Sequence, residues 1–215
     1  MKAAKDIILY LMEKVCILSL YSLTKTGPLK EDGWFRSFHE KSSVDADGNP
    51  VPWLTYPATE FLKRRIHPDM SLFEFGCGSS TFWWAKRVKE VVSVEHVESW
   101  YNQIAKRVPE NVKLFHINLE YNGAYSRKIK EFNNRFDIVV LDGRDRINCA
   151  INSLTALKED GILIWDNSDR KEYESGYNFL YKKGFRKIEF VGLVPIHNFK
   201  SETGIFYRSK NCLGI

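Results

Sequence analysis

From Ser71 onward, short runs of β-branched and aromatic residues alternate with segments whose apolar positions recur at helical spacing. Runs of this kind bounded by turn formers read as strands, and the periodic segments between them read as crossover helices. The pattern predicts strands at LFEF, VVSVEH, VKLFHIN, FDIVVLDG and GILIWDN. Between them, VESWYNQIAKRV places Val97, Trp100, Tyr101, Ile104, Ala105 and Val108 on one helical face. DRINCAINSLTALK does the same through Ile147, Ala150, Ile151, Leu154 and Leu157. Strand–helix units in series imply a parallel sheet, doubly wound, with helices on both sides. After the helical segment EYESGYNFLYKKG come two further strand candidates, FRKIEFVGLVPI and TGIFYRS. Their connection is too short for a parallel crossover, so they are expected to pair antiparallel at the sheet edge.

The N-terminal segment MKAAKDIILYLMEKVCILSLYSL carries Ile7, Ile8, Leu11, Met12, Val15 and Leu18 on one face, which predicts an amphipathic helix. Glu13 and Lys14 interrupt it well short of the ~20 apolar residues of a spanning helix. No small-residue cleavage pattern follows, so secretion is not expected. The apolar face suits packing on the domain, on a partner subunit, or peripherally on a membrane surface. Residues 24–56, rich in Gly, Pro and Asp, read as an irregular arm. Its Trp34, Trp53 and Tyr56 serve either to cover a ligand or to pin the loop. The expected division is residues 1–60 as helix and arm, and 61–215 as the α/β domain.

Composition narrows the field only slightly. With 215 residues, 44% hydrophobic and 27% charged, the chain has the balance of an ordinary soluble domain. The net charge of +5 comes from basic residues interleaved with acidic ones, so an extended nucleic-acid footprint is not indicated. Lys63-Arg64-Arg65 reads as a solvated helix face. Cys16, Cys77, Cys149 and Cys212 show no zinc or disulfide spacing, which fits a reducing, cytoplasmic setting.

The chemistry concentrates at strand ends. In EFGCGSST, Gly76 and Gly78 allow a sharp turn and a close backbone approach to a ligand, and the next helix begins at Ser79, Ser80 and Thr81 with unpaired N–H groups. A dinucleotide site would carry a third glycine where Thr81 stands. Glu74 precedes the loop within the strand, and Glu95 ends the next strand, beside His96, where a carboxylate can take the hydroxyls of a ribose.

On these residues the chain, from about Leu72 onward, resembles the class I S-adenosylmethionine-dependent methyltransferases, whose fold is Rossmann-like. The resemblance implies that Glu74, Gly76 and Gly78 contact the methionine part of the cofactor. It further implies that Glu95 holds the ribose and Asn118 the adenine edge, and that seven strands form the sheet with the last antiparallel. Ser79, Ser80, Thr81, His96 and Asp142 complete the candidate cofactor-binding set.

Two more strand ends carry acids, Asp142 in VVLDGRDR and the pair Asp166-Asn167 in LIWDNSDR. Parallel strands bring these to one edge of the sheet, where three oxygen ligands would suit Mg²⁺. The spacing looks like that of metal-binding O-methyltransferases of the catechol type, and the likeness makes Asp142, Asp166 and Asn167 the metal ligands. That family's catalytic lysine is replaced here by Asp145. Asp145 or His96 could then serve as base, or Asp142 could act directly without metal; Asp166 and Asn167 could instead cap a helix near Asp169. Arg144 and Arg146 are candidate anchors for an anionic substrate, or ion-pair partners of Asp145, Asp169 or Glu172. His39, His67 and His197 read as surface or capping residues, and Trp83 and Trp84 as packing.

The leading expectation is O-methylation of a small-molecule or glycan hydroxyl, with Asp142, Asp145 and Asp166 as candidate catalytic residues. Two alternatives stand beside it: an aminopropyltransferase-like enzyme using a decarboxylated donor, and a non-catalytic cofactor-binding module.

Overall fold

Along each central strand, neighbouring side chains enter different cores. In β1 (Ser71–Phe75), Leu72 packs on one side of the sheet while Phe73 and Phe75 pack on the other. The same alternation runs through Ile138 and Val140 against Val139 and Leu141 in β4 (Phe136–Leu141). A strand buried on both faces must be apolar at nearly every position. That requirement is why these runs read so clearly in the sequence.

The computed structural model describes residues 2–14 and 16–215. Five helices come first: α1 (Lys2–Lys14), α2 (Ile17–Lys25), α3 (Pro28–Glu31), α4 (Trp34–Glu40) and α5 (Tyr56–Lys63). Then β1 leads through α6 (Ser79–Ala85) to β2 (Glu90–Glu95), and α7 (Glu98–Ala105) to β3 (Val112–His116). A short α8 (Ala124–Arg127) precedes β4, followed by α9 (Arg146–Ser153), β5 (Leu157–Asp166), α10 (Glu174–Lys182), β6 (Arg186–Leu193) and β7 (Lys200–Tyr207). The strand order is β3-β2-β1-β4-β5-β7-β6, with β7 antiparallel to both of its neighbours and the other pairings parallel. The seven-stranded, doubly wound sheet with an antiparallel last strand is therefore as expected, and β7 inserts between β5 and β6. Strand order reverses between β1 and β4. In open α/β sheets, ligands bind at the carboxyl ends of the strands at such a reversal.

One expected helix is shorter than its periodicity suggested. The segment 145–158 leaves the helix after Ser153, and Leu157 already pairs with Phe136 as β5 begins. The N-terminal segment forms two helices rather than one: Cys16 stands at φ 57°, a left-handed conformation that ends a helix. Val15 lies outside the described residues. Ile7, Ile8 and Leu11 are more than half exposed, so the apolar face of α1 is not packed on the domain. Among the described residues, no single helix is long and apolar enough to cross a membrane.

The arm is ordered rather than irregular. Gly33, at φ 79°, lets α4 pass so close to the next loop that a Cβ there would lie 2.2 Å from the carbonyl carbon of Asp45. Ser37 Oγ both donates to the Val44 carbonyl (2.6 Å) and accepts from the Val44 N–H (3.0 Å). Leu54 of the arm enters the same core as Leu62, Leu72 and Val91, so the arm and the sheet share one interior.

Candidate functional site

The strand ends at the reversal open on a cavity of about 450 Å³. Its floor is the loop after β1. Gly76 sits at φ 100°, a conformation that disfavours any side chain, and its N–H donates to the Val94 carbonyl (2.8 Å). Glu74 is fully buried beneath that loop. Ser80 Oγ donates to its Oε1, while Thr81 Oγ1 (2.6 Å) and Ser93 Oγ (3.1 Å) donate to Oε2. Burial raises its pKa while these hydroxyls oppose the rise. Thr81 Oγ1 also accepts the Gly78 N–H (3.0 Å), so one acid and its hydroxyls hold the loop and the start of α6 together. Ser93, which no loop motif marks, completes this cluster from β2.

Glu95 faces the loop from the end of β2. Its Oε1 accepts the N–H groups of His96 and Val97 (both 2.8 Å), and its Oε2 accepts that of Cys77 (3.2 Å). These donors occupy three of the roughly four acceptor positions of a carboxylate. One position on Oε2 is left, and binding two hydroxyls would require the Cys77 N–H to yield its place. His96 also lines the cavity, its Nδ1 3.0 Å from Glu95 Oε1. Asn118 follows β3 and does not wall this cavity. Ser79 lines an adjoining lobe of about 320 Å³, where Trp100 donates through Nε1 to the Cys77 carbonyl (2.7 Å). Trp100, read from periodicity as a packing residue, is thus also a rim residue, 41% exposed. Trp83 and Trp84 are buried in the core, as expected.

Across the cavity stand Asp142 and Asp166. The pairing of Leu141 with Trp165 brings the ends of β4 and β5 side by side, so the following acids are neighbours. Loss of water raises the pKa of each above the ordinary carboxylate range, and the charge of Asp142 raises that of Asp166 further. Asp166 Oδ1 accepts from Thr203 Oγ1 (3.2 Å), which in turn accepts the N–H of Thr55 in the arm (3.1 Å). The arm thereby fixes which way the Thr203 hydroxyl points.

Arg146 corrects the metal reading. It is buried at the start of α9, 7% exposed. Its Nη1 donates to the Asp166 carbonyl and to Asn167 Oδ1 (3.2 Å), and its Nη2 to the carbonyl (3.0 Å) and Oδ1 (3.2 Å) of Asp142. Its Nε donates to the Gly143 carbonyl (3.0 Å). The guanidinium thus occupies the Asp142 carboxylate and the Asn167 amide oxygen, two of the three side-chain ligands expected for Mg²⁺, and supplies a resident positive charge in a fixed fork geometry. Asp142, Asp166 and Asn167 as arranged do not fit a metal, and among the described residues no three Asp, Glu, His or Cys side chains converge as ligands. Mg²⁺ and EDTA are accordingly expected to leave the melting temperature unchanged, which calorimetry with and without each checks.

Asp145 does not reach the cavity. At φ 52°, it turns its Oδ2 to the Asn122 N–H (2.7 Å) and its Oδ1 to Asn148 Nδ2 (2.7 Å), so it organises the loop ahead of α9 and does not serve as a base. Asn167 does not cap a helix at Asp169: a turn follows it, and its amide donates to Ser201 Oγ (3.2 Å). Of the two arginines proposed as anchors, Arg144 is exposed on the cavity wall, while Arg146 is consumed internally. His197 is not a bystander either, since it lines the cavity between Trp53 and Phe199.

Gly143 closes the reversal point. A Cβ there would lie 2.1 Å from Tyr125 Oη and 3.1 Å from the Phe75 carbonyl carbon and oxygen. Gly143→Ala is expected to cost about 1–3 kcal/mol through overpacking. In a chain of this size that lowers the melting temperature by ~2–10 °C, measurable by calorimetry.

The topology is that of the Rossmann-like methyltransferase fold. No family model matches the sequence, and no curated protein does. Among solved structures, the chain is similar to an rRNA methylase from Streptococcus thermophilus, with TM-score 0.54 and 14% identity over 73% of this chain and 99% of that one. It is similar also to precorrin-6y C5,15-methyltransferase from Geobacter metallireducens (TM-score 0.54, 14% identity, 71% and 87% of the two chains). A third similar structure is a protein from Streptococcus mutans solved in complex with SAH (TM-score 0.50, 14% identity, 69% and 94%). Likeness at such identities is a likeness of fold.

Proposed function

We propose that the protein is an S-adenosylmethionine-dependent methyltransferase acting on a hydroxyl of a small molecule or glycan. The observation that carries this reading is the placement of Glu95 against the Gly76–Gly78 loop, with Asp142 across the same cavity. Its volume is in the range of ordinary small-ligand sites. The solved relative in complex with SAH supports the choice of nucleoside. When bound, S-adenosylmethionine supplies an electrophilic methyl group on a sulfonium.

The chain's own residues do the rest. Glu95 anchors the ribose, and since the N–H groups of Gly76, Cys77 and Gly78 are engaged within the protein, those of Ser79 and Ser80 at the start of α6 are the ones left for the amino-acid end. The Asp142–Asp166 pair accepts the hydroxyl proton as the oxygen attacks, with alignment supplying much of the rate. Arg146 holds the two strand ends in register for that task. Incubation with S-adenosylmethionine and with its decarboxylated analogue, against hydroxylated and polyamine acceptors, tests the reading: S-adenosylhomocysteine is the expected product. Methylthioadenosine formed from the decarboxylated donor would instead indicate aminopropyl transfer.

The exposed face of α1 and α2, with Ile7, Ile8, Leu11 and Leu20 beside Lys14 and Lys25, supports peripheral contact with an anionic membrane surface. Co-sedimentation with phosphatidylserine vesicles, lost on deleting residues 1–27, is expected.

A further inference from the structure

Opposite the cofactor loop, the cavity has a second character. Trp53 from the arm, His197 and Phe199 form a continuous run of rings: Trp53 and His197 centroids lie 5.3 Å apart at 33°, and His197 and Phe199 lie 4.6 Å apart at 23°. The rings are piled face to face with His197 in the middle, and the two ends of the pile, Trp53 at 42% and Phe199 at 55% exposed, keep surface that is not spent on the core. The shelf is locked in place: Trp34 Nε1 donates to the His197 carbonyl (2.7 Å), tying the arm to the β6–β7 connection.

Beside the shelf, Arg144 and Arg170 reach the same wall. Among the described residues Arg144 makes no ion pair, and Arg170 has only Glu172 at 3.9 Å, itself well exposed. Unlike Arg146, whose donors are engaged within the protein, Arg144 has its guanidinium available to a ligand, and Arg170 keeps only a long, exposed ion pair that a ligand anion can replace. Nearby Asn167 and Ser201 offer hydrogen-bonding groups between the shelf and the acid pair.

We infer that the acceptor is a sugar bearing an anionic group, a carboxylate or a phosphate, whose ring packs on the exposed indole of Trp53 at one end of the ring pile while Arg144 and Arg170 hold the anion. This rests on the methyltransferase reading and names the substrate class of the same site. A flat ring face packs on aromatic side chains, and the polar wall around it matches a polyhydroxylated ring better than a phenol, whose edge offers few partners. The guanidinium fork suits carboxylate and phosphate alike. In the transfer, the sugar hydroxyl oxygen forms the new bond to the methyl carbon, the carbon–sulfur bond breaks with its electron pair returning to sulfur, and the hydroxyl proton passes to the Asp142–Asp166 pair.

The test uses the full chain loaded with S-adenosylhomocysteine, titrated by calorimetry with glucuronate, glucose 6-phosphate, glucose and catechol. At least one of the anionic sugars is expected to bind tenfold or more tighter than glucose and catechol, and the stronger of the two identifies carboxylate or phosphate. Arg144→Gln and Arg170→Gln should each weaken that anion about tenfold, the scale of one charge-assisted hydrogen bond, while leaving glucose within twofold. Trp53→Ala should weaken both sugars together. Equal binding of glucose or catechol and the anions, no binding of either anion, or arginine variants without effect would overturn the inference. Failure of S-adenosylhomocysteine itself to bind the wild-type chain would instead remove the methyltransferase reading beneath it.

Discussion

Asp142→Asn is expected to lower turnover by about 10²–10⁴-fold, the usual contribution of a positioned proton acceptor, while affinity for S-adenosylhomocysteine stays within a few-fold. The asparagine keeps the shape and can still accept from Arg146, so the strand ends remain in register; what it loses is the capacity to take a proton. The pH dependence gives a second readout. Asp142 and Asp166 are both raised above ordinary carboxylates by desolvation, so at acid pH the pair is fully protonated and cannot act as a base. Turnover by the wild type should therefore climb as pH rises from the ordinary carboxylate range toward neutrality. In Asp142→Asn the residual rate should lose much of that climb. The same shifts act on stability with the opposite sign: raised pKa values stabilise the fold at low pH, and that contribution is lost as pH rises through the folded-state values. Full turnover in Asp142→Asn would remove this residue from the chemistry.

Glu95→Ala is expected to weaken S-adenosylhomocysteine by about 10²–10³-fold in a calorimetric titration. One or two ribose hydroxyls donating to a carboxylate account for that loss, at ~1.5–3 kcal/mol each. The variant also leaves the Cys77, His96 and Val97 N–H groups without their acceptor, so melting temperature must be followed alongside. A folded Glu95→Ala protein with unchanged affinity would contradict the ribose role.

The sheet was legible because burial on both faces leaves its strands almost no polar positions, and the turns that end them fall at Gly76, Gly143 and Asn167. Less was legible where two physical preferences compete. Leu157 continues the helical period of α9, yet it belongs to β5, since pairing with β4 outweighs local periodicity. The N-terminal apolar stripe predicts one helix, but its Ile7, Ile8 and Leu11 stay exposed and give little burial to offset the left-handed turn at Cys16. Gly33 and Pro28 look like loop formers, whereas here they bound short helices of an ordered arm.

At the site, the strand ends place Glu74, Glu95, Asp142 and Asp166 around one cavity. The occupant of the acid cluster could not be read from spacing, because a guanidinium and a metal ion both suit the oxygens of Asp142 and Asn167. A hint existed: an arginine four residues after Asp142, at the start of the next helix, is close enough along the chain to fold back on the strand end. His197, Phe199 and Arg170 were invisible for a different reason. They come from connections whose path depends on β7 inserting between β5 and β6, which no local pattern encodes.

The most direct measurement is a crystal structure of the protein with S-adenosylhomocysteine. The account predicts the ribose hydroxyls on the Glu95 carboxylate, the amino-acid end over Gly76 and Gly78, and the sulfur facing Asp142. A nucleoside bound elsewhere, or one in this cavity with Glu95 turned away from it, would contradict the account.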